Sequence, residues 1–289
     1  MTTEQIQEII TETFPEIEIK SLKKIGSGRN VVAVLVNDNI VFRIPKKEDA
    51  EFNHPEKEVK VLNFLKGKLS FEVPEILYWK IDKQGRNIIG ETLVSGVVYT
   101  QELHDSFDEE TKSDILRQIG KIARELHDLG HDYKWLQNAS LHYADSLEVF
   151  EEYFPESVKK QFTDEQIKQI NAVRDRYKTL SEEYPVKPVL THCDLHFGNM
   201  MFDIKSKKII GLIDFGEAGY AEPSRDMHYY YGSGAAELLA GYGDNGDKYL
   251  PERQKFQSVV NMLCNIKEDL ENGKSPDRNV KKVLLIVNQ

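Results

Sequence analysis

Two short segments hold the residues whose types and spacing could do chemistry. The first is Thr191-His192-Cys193-Asp194-Leu195-His196-Phe197-Gly198-Asn199, and the second is Gly211-Leu212-Ile213-Asp214-Phe215-Gly216. Each follows an apolar run that reads as a short strand. The two aspartates stand 20 positions apart, a span that one hairpin can close so that both loops reach the same edge. Two carboxylates and an amide delivered in this way suit phosphoryl transfer. One carboxylate meets the acceptor hydroxyl, while the second and the amide hold magnesium through hard oxygen ligands. Either motif alone would read as a turn whose side chain caps neighbouring backbone amides. His-x-Asp-x4-Asn followed at this distance by Asp-Phe-Gly, with strands around both, is far more specific.

The elements that must position these residues can be read from hydrophobic period. Residues 3–13 carry Ile6, Ile9 and Ile10 at helical spacing, with Thr2 or Thr3 as a cap. Residues 17–44 change period, and β-branched runs at Val31 to Val36 and Ile40 to Ile44 flank an Asn37-Asp38-Asn39 turn. The stretch reads as a three-stranded antiparallel meander. Val59, Leu62 and Leu65 return to helical spacing over 55–66, with Pro55 suited to the first turn. Strands follow near 75–81 and 87–94. Beyond residue 97 the pattern is mainly helical, over 111–129, 143–153 and 164–182, then again over 224–289 with a break at Gly241 to Asp247. A β island at 188–215 carries both chemical segments. No alternation of strand and helix units appears, which disfavours a doubly wound parallel sheet. The reading is a β-rich part, residues 1–95, followed by a mostly helical part, residues 96–289.

Composition narrows the function classes. The chain has 289 residues, 40% hydrophobic and 30% charged, enough apolar material for a sizeable core. Lys plus Arg is 38 against 48 Asp plus Glu, a net charge of −10. That acidity argues against a nucleic-acid partner and is compatible with a cationic one. Two cysteines, Cys193 and Cys264, make neither a disulfide framework nor a zinc site. No basic and apolar leader opens the sequence, and no run reaches the roughly 18 apolar residues of a membrane span. The expectation is a cytoplasmic protein without a membrane partner.

Together these segments resemble the protein-kinase-like superfamily, and within it the aminoglycoside phosphotransferases, 2″-phosphotransferases above all. The resemblance extends along most of the chain. Ser27-Gly28-Arg29-Asn30 lies in the first strand-to-strand loop, and Phe42-Arg43-Ile44-Pro45-Lys46 ends the third strand. Glu58 lies in the following helix, Thr92-Leu93-Val94-Ser95-Gly96 forms a link, and Ala123-Arg124-Glu125-Leu126-His127 ends a long helix. The catalytic segment has Cys193 where the relatives carry a small or amide residue, and no Arg as in protein kinases.

The resemblance implies an α+β, bilobal protein-kinase-like fold, with a small antiparallel sheet and one main helix in the first lobe and a larger helical second lobe. It implies that Asp194 is the catalytic base or orienter, and that Asn199 and Asp214 bind Mg2+. Gly26, Ser27 and Gly28 would cover the phosphates of ATP or GTP, and the backbone of Thr92, Leu93 and Val94 would meet the purine edge. Arg43 stands where the family's lysine pairs with the helix glutamate, here Glu58, and with the phosphates; a purely structural salt bridge is the alternative. Asp226 matches an acidic position that braces the catalytic loop. Tyr230, Tyr231, Glu237 and Asp244 are candidates for acceptor contacts, although the acidic cluster of many 2″-phosphotransferases is missing after Asp226. The acceptor expected is an aminoglycoside. A macrolide, choline or a sugar, and a nucleotide-binding pseudokinase without turnover, are the competing readings.

Overall fold

A computed structural model of the chain describes residues 1–27, 31–46, 55–129 and 146–289. These residues separate into two units. The first comprises Met1–Tyr99, Asn199–Ser206 and Ile210–Glu217, and the second Thr100–Gly198, Lys207–Ile209 and Ala218–Gln289.

In the first unit the helix α1 (Thr3–Thr13) is opened by a capping box, the Thr2 hydroxyl accepting from Gln5 N and the Gln5 side chain reaching back to Thr2 N. Its buried stripe, Ile6, Ile10 and the following Phe14, packs on one face of a five-stranded sheet, against Val32, Val34, Phe42, Ile44 and Ile88. The sheet runs in the order β1-β2-β3-β5-β4, from β1 (Leu22–Ser27), β2 (Val31–Val36), β3 (Ile40–Pro45), β4 (Ile76–Ile81) and β5 (Asn87–Thr92). All its pairings are antiparallel. The β2–β3 turn places Asn37 and Asp38 at φ 51° and 60°, a left-handed region that these two residue types tolerate. The Asn37 amide accepts from Lys20 N and Ser21 N and donates to Glu18 O. Those bonds occupy the backbone just before β1, so the meander starts at Leu22 rather than at the Ile17–Ile19 alternation.

The opposite face of the sheet carries Arg43 and, in register with it, Ile89. The helix α2 (Pro55–Leu65) buries Glu58, Val61, Leu62 and Leu65. The turn at Phe215–Glu217, with Phe215 fully buried, packs against α2. A second small sheet, β6 (Val97–Val98), β8 (Met200–Asp203) and β9 (Lys208–Leu212), leads into Asp214.

The second unit is mostly helical. Its long helix α4 (Glu109–His127) follows α3 (Gln101–Asp105) and lies against the helix Ser233–Tyr242. The two backbones nearly touch: a β-carbon at Gly120 would sit 2.0 Å from Leu238 O, and one at Gly241 would sit 2.0 Å from Arg117 O. Only glycine permits that approach. A separate apolar core joins Phe150, Phe154, Ile170 and Tyr177 to Phe256, Leu263 and Ile286, with Tyr177 and Phe256 stacked at 3.9 Å. Two short strands, β7 (Val189–Thr191) and β10 (Gly219–Ala221), pair antiparallel and present the His192-Cys193-Asp194 segment at the end of β7.

Candidate active site

Within the first unit one guanidinium gathers three carboxylates. Arg43 Nη2 lies 2.5 Å from Glu58 Oε2, Nε 3.5 Å from Glu91 Oε2 and Nη1 3.3 Å from Asp214 Oδ1. Burial opposes the charge on Arg43, but Glu58, Glu91 and Asp214 outweigh it and raise its pKa above the ordinary value. The pKa of Glu91 is also raised, which for a carboxyl favours the neutral form. Burial, with Arg43 opposing it and Glu58 and Asp214 adding to it, pushes this carboxyl up to about 7. Glu91 Oε2 is buried without a well-directed hydrogen bond among the described residues. Asp214 sits at φ +64° with its side chain 55% exposed, so its carboxylate remains open to a ligand. Asn199 is buried, and its carbonyl accepts from Ile213 N at 3.0 Å, tying the backbone beside Asp214 to the end of the first motif.

The remaining positions read from the sequence for the nucleotide fall as follows. Gly26 and Ser27 pair with Ala33 and Val32 just after an irregularity in β1. Gly28 lies outside the described residues. Thr92 N and Leu93 N donate to Glu75 O and Asn39 O, and Val94 is buried.

In the second unit Asp194 is held from two sides. The Tyr229 hydroxyl donates to Asp194 Oδ1 at 2.5 Å, and His196 Nε2 lies 3.5 Å from Oδ2. Gly198 N donates to His196 Nδ1, which leaves Nε2 as the donor toward Asp194 in the neutral ring. Burial opposes ionisation, yet the bonds from His196 and Tyr229 win and hold the carboxyl well below the usual carboxylate range. The side chain stays 28% exposed, so an ionised, oriented carboxylate faces solvent. The loop behind it is pinned by Asp226, which accepts from His192 N at 3.0 Å, Cys193 N at 2.6 Å and His127 Nε2 at 2.9 Å. Cys193 is thereby kept at φ +65°, a strained value for a residue with a β-carbon. The Asp226 carboxyl is fully buried; these donors overcome the burial and lower its pKa.

The candidate acceptor residues do not gather in one place. The buried Tyr230 donates its hydroxyl to Leu195 O at 3.0 Å, next to Asp194 in sequence. Tyr231 lines a cavity of about 300 Å³ with Glu252, Gln254 and Lys255. Glu237 is paired with Arg117 at 2.7 Å, and Asp244 closes a turn by accepting from Gly246 N. A larger cavity of about 570 Å³ is walled by His127, Tyr184, Tyr242 and Tyr249, and contains neither Asp194 nor Tyr229. Glu91 and His196 were not singled out from the sequence, and Tyr229 was not read as a partner of Asp194. A lone acid directly after the apolar run Ile88-Ile89-Gly90 was the available signal for Glu91, and the position one helical turn after Asp226 was the signal for Tyr229.

An antiparallel sheet whose Arg43 pairs with Glu58 of the helix α2, and a helical unit that presents His192 and Asp194 just after the short strand β7, are features of the protein-kinase-like class. A family model described as the phosphotransferase enzyme family, APH, matches residues 21–256. The chain belongs to that family and is a phosphotransferase acting on hydroxyl groups. Its fold is similar to that of the GDP complex of wild-type aminoglycoside 2′-phosphotransferase-IIIa, with 19% identity, a TM-score of 0.76 and coverage of 100% of this chain and 98% of that one. The streptomycin–ATP–APH(2″)-IIa ternary complex matches with 20% identity and a TM-score of 0.69, over 99% and 97% of the two chains. Macrolide 2′-phosphotransferase MphH from Brachybacterium faecium, an apoenzyme, matches with 15% identity and a TM-score of 0.64, over 99% and 98%. At these identities the likeness is one of fold.

Proposed function

We propose that the chain transfers the γ-phosphoryl group of ATP or GTP to a hydroxyl of an aminoglycoside. The observation that carries this reading is Asp194: an ionised, partly exposed carboxylate aimed by Tyr229 and His196 within His-x-Asp-x4-Asn. In that role it accepts a hydrogen bond from the acceptor hydroxyl, turns an oxygen lone pair toward phosphorus and takes the proton as the new bond forms. Asp214 and Asn199 fit magnesium. A carboxylate and an amide are hard oxygen donors, and two protein ligands are what this ion takes when phosphate oxygens and water complete its shell. Bound there, magnesium would offset charge on the transferring phosphoryl group. Arg43 would contact the phosphates while Glu58 fixes its fork. Gly26, Ser27 and Gly28 would cover the phosphates, and Thr92 to Val94 would meet the base. On this reading residues 1–95 bind the nucleotide and residues 96–289 carry catalysis and the acceptor.

The aminoglycoside is favoured by the net charge of −10, which attracts a polycation, and by the full-length likeness to aminoglycoside kinases. No helix of the described residues is long and apolar enough to cross a membrane. Both cysteines are free, and the donor is a cytoplasmic metabolite, so we read the enzyme as cytoplasmic. The test is nucleoside-diphosphate release over a panel of aminoglycosides, macrolides, choline and sugars, with ATP and GTP in parallel. Stimulation by aminoglycosides alone is expected. Stimulation by a macrolide, choline or a sugar instead would replace the acceptor.

A further inference from the structure

Tyr229 and Tyr230 both lie beside Asp194, and they use their hydroxyls differently. Tyr230 is buried and donates to a backbone carbonyl, Leu195 O, as a packed tyrosine does. Tyr229 is half-buried, in the turn between Pro223–Met227 and the helix Ser233–Tyr242, and donates at 2.5 Å to Oδ1 of Asp194. The carboxylate it meets is 28% exposed, and the His196 side chain on the other oxygen is 38% exposed, so solvent reaches this group of side chains. The Tyr229 ring is set against His196 at 5.3 Å and His228 at 4.0 Å, which fixes it beside the carboxylate. An acceptor hydroxyl in the proposed reaction has to make this same bond. Its O–H donates to the Asp194 carboxylate, and its oxygen then attacks phosphorus. In the chain by itself, a hydroxyl that makes the bond belongs to Tyr229.

We propose that Tyr229 is a self-phosphorylation site: with nucleotide bound and no acceptor, its hydroxyl takes the γ-phosphoryl group that the acceptor would otherwise receive. Tyr229 Oη bonds to the γ-phosphorus of ATP or GTP as the bond from that phosphorus to the β,γ-bridging oxygen breaks. The nucleoside diphosphate leaves with the electron pair, and the phenol proton passes to Asp194 Oδ1 and on to solvent. The product closes the site. A phosphotyrosine carries about −1.5 to −2 charges at pH 7, and here it repels the Asp194 carboxylate and fills the place of the acceptor hydroxyl. The reaction therefore runs once per chain, and a bound acceptor prevents it. This inference rests on the phosphoryl-transfer role of Asp194, so the two are read on different products, the phosphorylated chain and the phosphorylated acceptor.

The full chain is incubated with magnesium and ATP or GTP, with and without an aminoglycoside, and followed by intact mass and by sequencing of its phosphopeptides. Without acceptor, one phosphoryl group per chain is expected, on Tyr229. Its rate constant should not change with enzyme concentration, since hydroxyl and base lie on the same chain. Asp194→Asn should slow labelling roughly 10²- to 10⁴-fold, the span for losing a general base. A saturating aminoglycoside should suppress labelling, and the phosphorylated chain should no longer phosphorylate the aminoglycoside. Tyr229→Phe keeps the ring and should take no label; site sequencing in the parent chain decides the matter if that variant fails to fold. Phosphate on a residue other than Tyr229, or labelling that quickens in proportion to enzyme concentration, overturns the proposal. So does a chain that phosphorylates an aminoglycoside yet takes no phosphate itself, and that result leaves the proposed function standing. Phosphorylated Tyr229 without any phosphorylated acceptor upholds the proposal and strikes the aminoglycoside, whereas the absence of both products overturns both.

Discussion

At the scale of single residues the site is governed by opposite treatment of two acids. Asp194 is given donors and kept ionised, whereas Glu91 is buried beside a guanidinium already shared with two other carboxylates. Asp194→Asn keeps size and the Tyr229 contact but removes the basic oxygen. It should leave nucleotide binding intact and lower turnover by roughly 10²- to 10⁴-fold, the usual span for a general acid–base group. Steady-state kinetics beside a nucleotide titration checks this, and turnover near that of the parent chain would remove Asp194 from its role.

Glu91 leads to a pH prediction. Its pKa in the folded chain, about 7, lies above the ordinary value of 4.5. Between those values the unfolded chain releases this proton while the folded chain keeps it, so the Glu91 contribution to stability is present below about 4.5 and is lost as pH rises through about 7. Glu91→Gln removes that dependence. The variant should gain stability relative to the parent chain as pH rises from about 5 to about 8, by of order 1–3 kcal/mol. Thermal midpoints across that range test it, and a constant or shrinking difference would contradict the assignment.

At the scale of elements, positioning depends on a few close approaches. Gly120 and Gly241 let α4 and the helix Ser233–Tyr242 meet backbone to backbone, and these two helices carry His127 and Tyr242. Gly120→Ala would force a β-carbon against Leu238 O. A loss of about 1–3 kcal/mol or more is expected, read as a fall of several degrees in Tm. An unchanged Tm would mean that the helices are free to part.

Most elements were legible before the structure. The α1 cap, the β2–β3 turn, α2 behind Pro55 and the stripe Ile115, Ile119, Ile122 and Leu126 follow from local period and capping. The strand β10 was not, because three residues carry no readable period and are recruited by pairing with β7. Residues 17–19 alternate like a strand, yet the backbone just after them is captured by the side chain of Asn37. Asp194, Asn199 and Asp214 stood out because each lies in a short contiguous motif. The contacts of Glu91, Tyr229 and His196 did not, since they depend on register and loop curvature. The pairing of Arg43 with Glu58 was expected, but the two further carboxylates on the same guanidinium were not.

At the scale of the whole molecule, transfer of a phosphoryl group is what separates an enzyme from a nucleotide-binding protein. A chain that gripped magnesium and nucleotide without turnover would still be stabilised by them, since any ligand of the folded state raises Tm. The most direct measurement is 31P NMR of the chain with ATP or GTP, magnesium and an aminoglycoside. One phosphomonoester resonance on the antibiotic is expected for each nucleoside diphosphate formed, absent without enzyme and strongly reduced in Asp194→Asn. Inorganic phosphate as the only product, or nucleotide binding with no phosphoester on any acceptor, would contradict it.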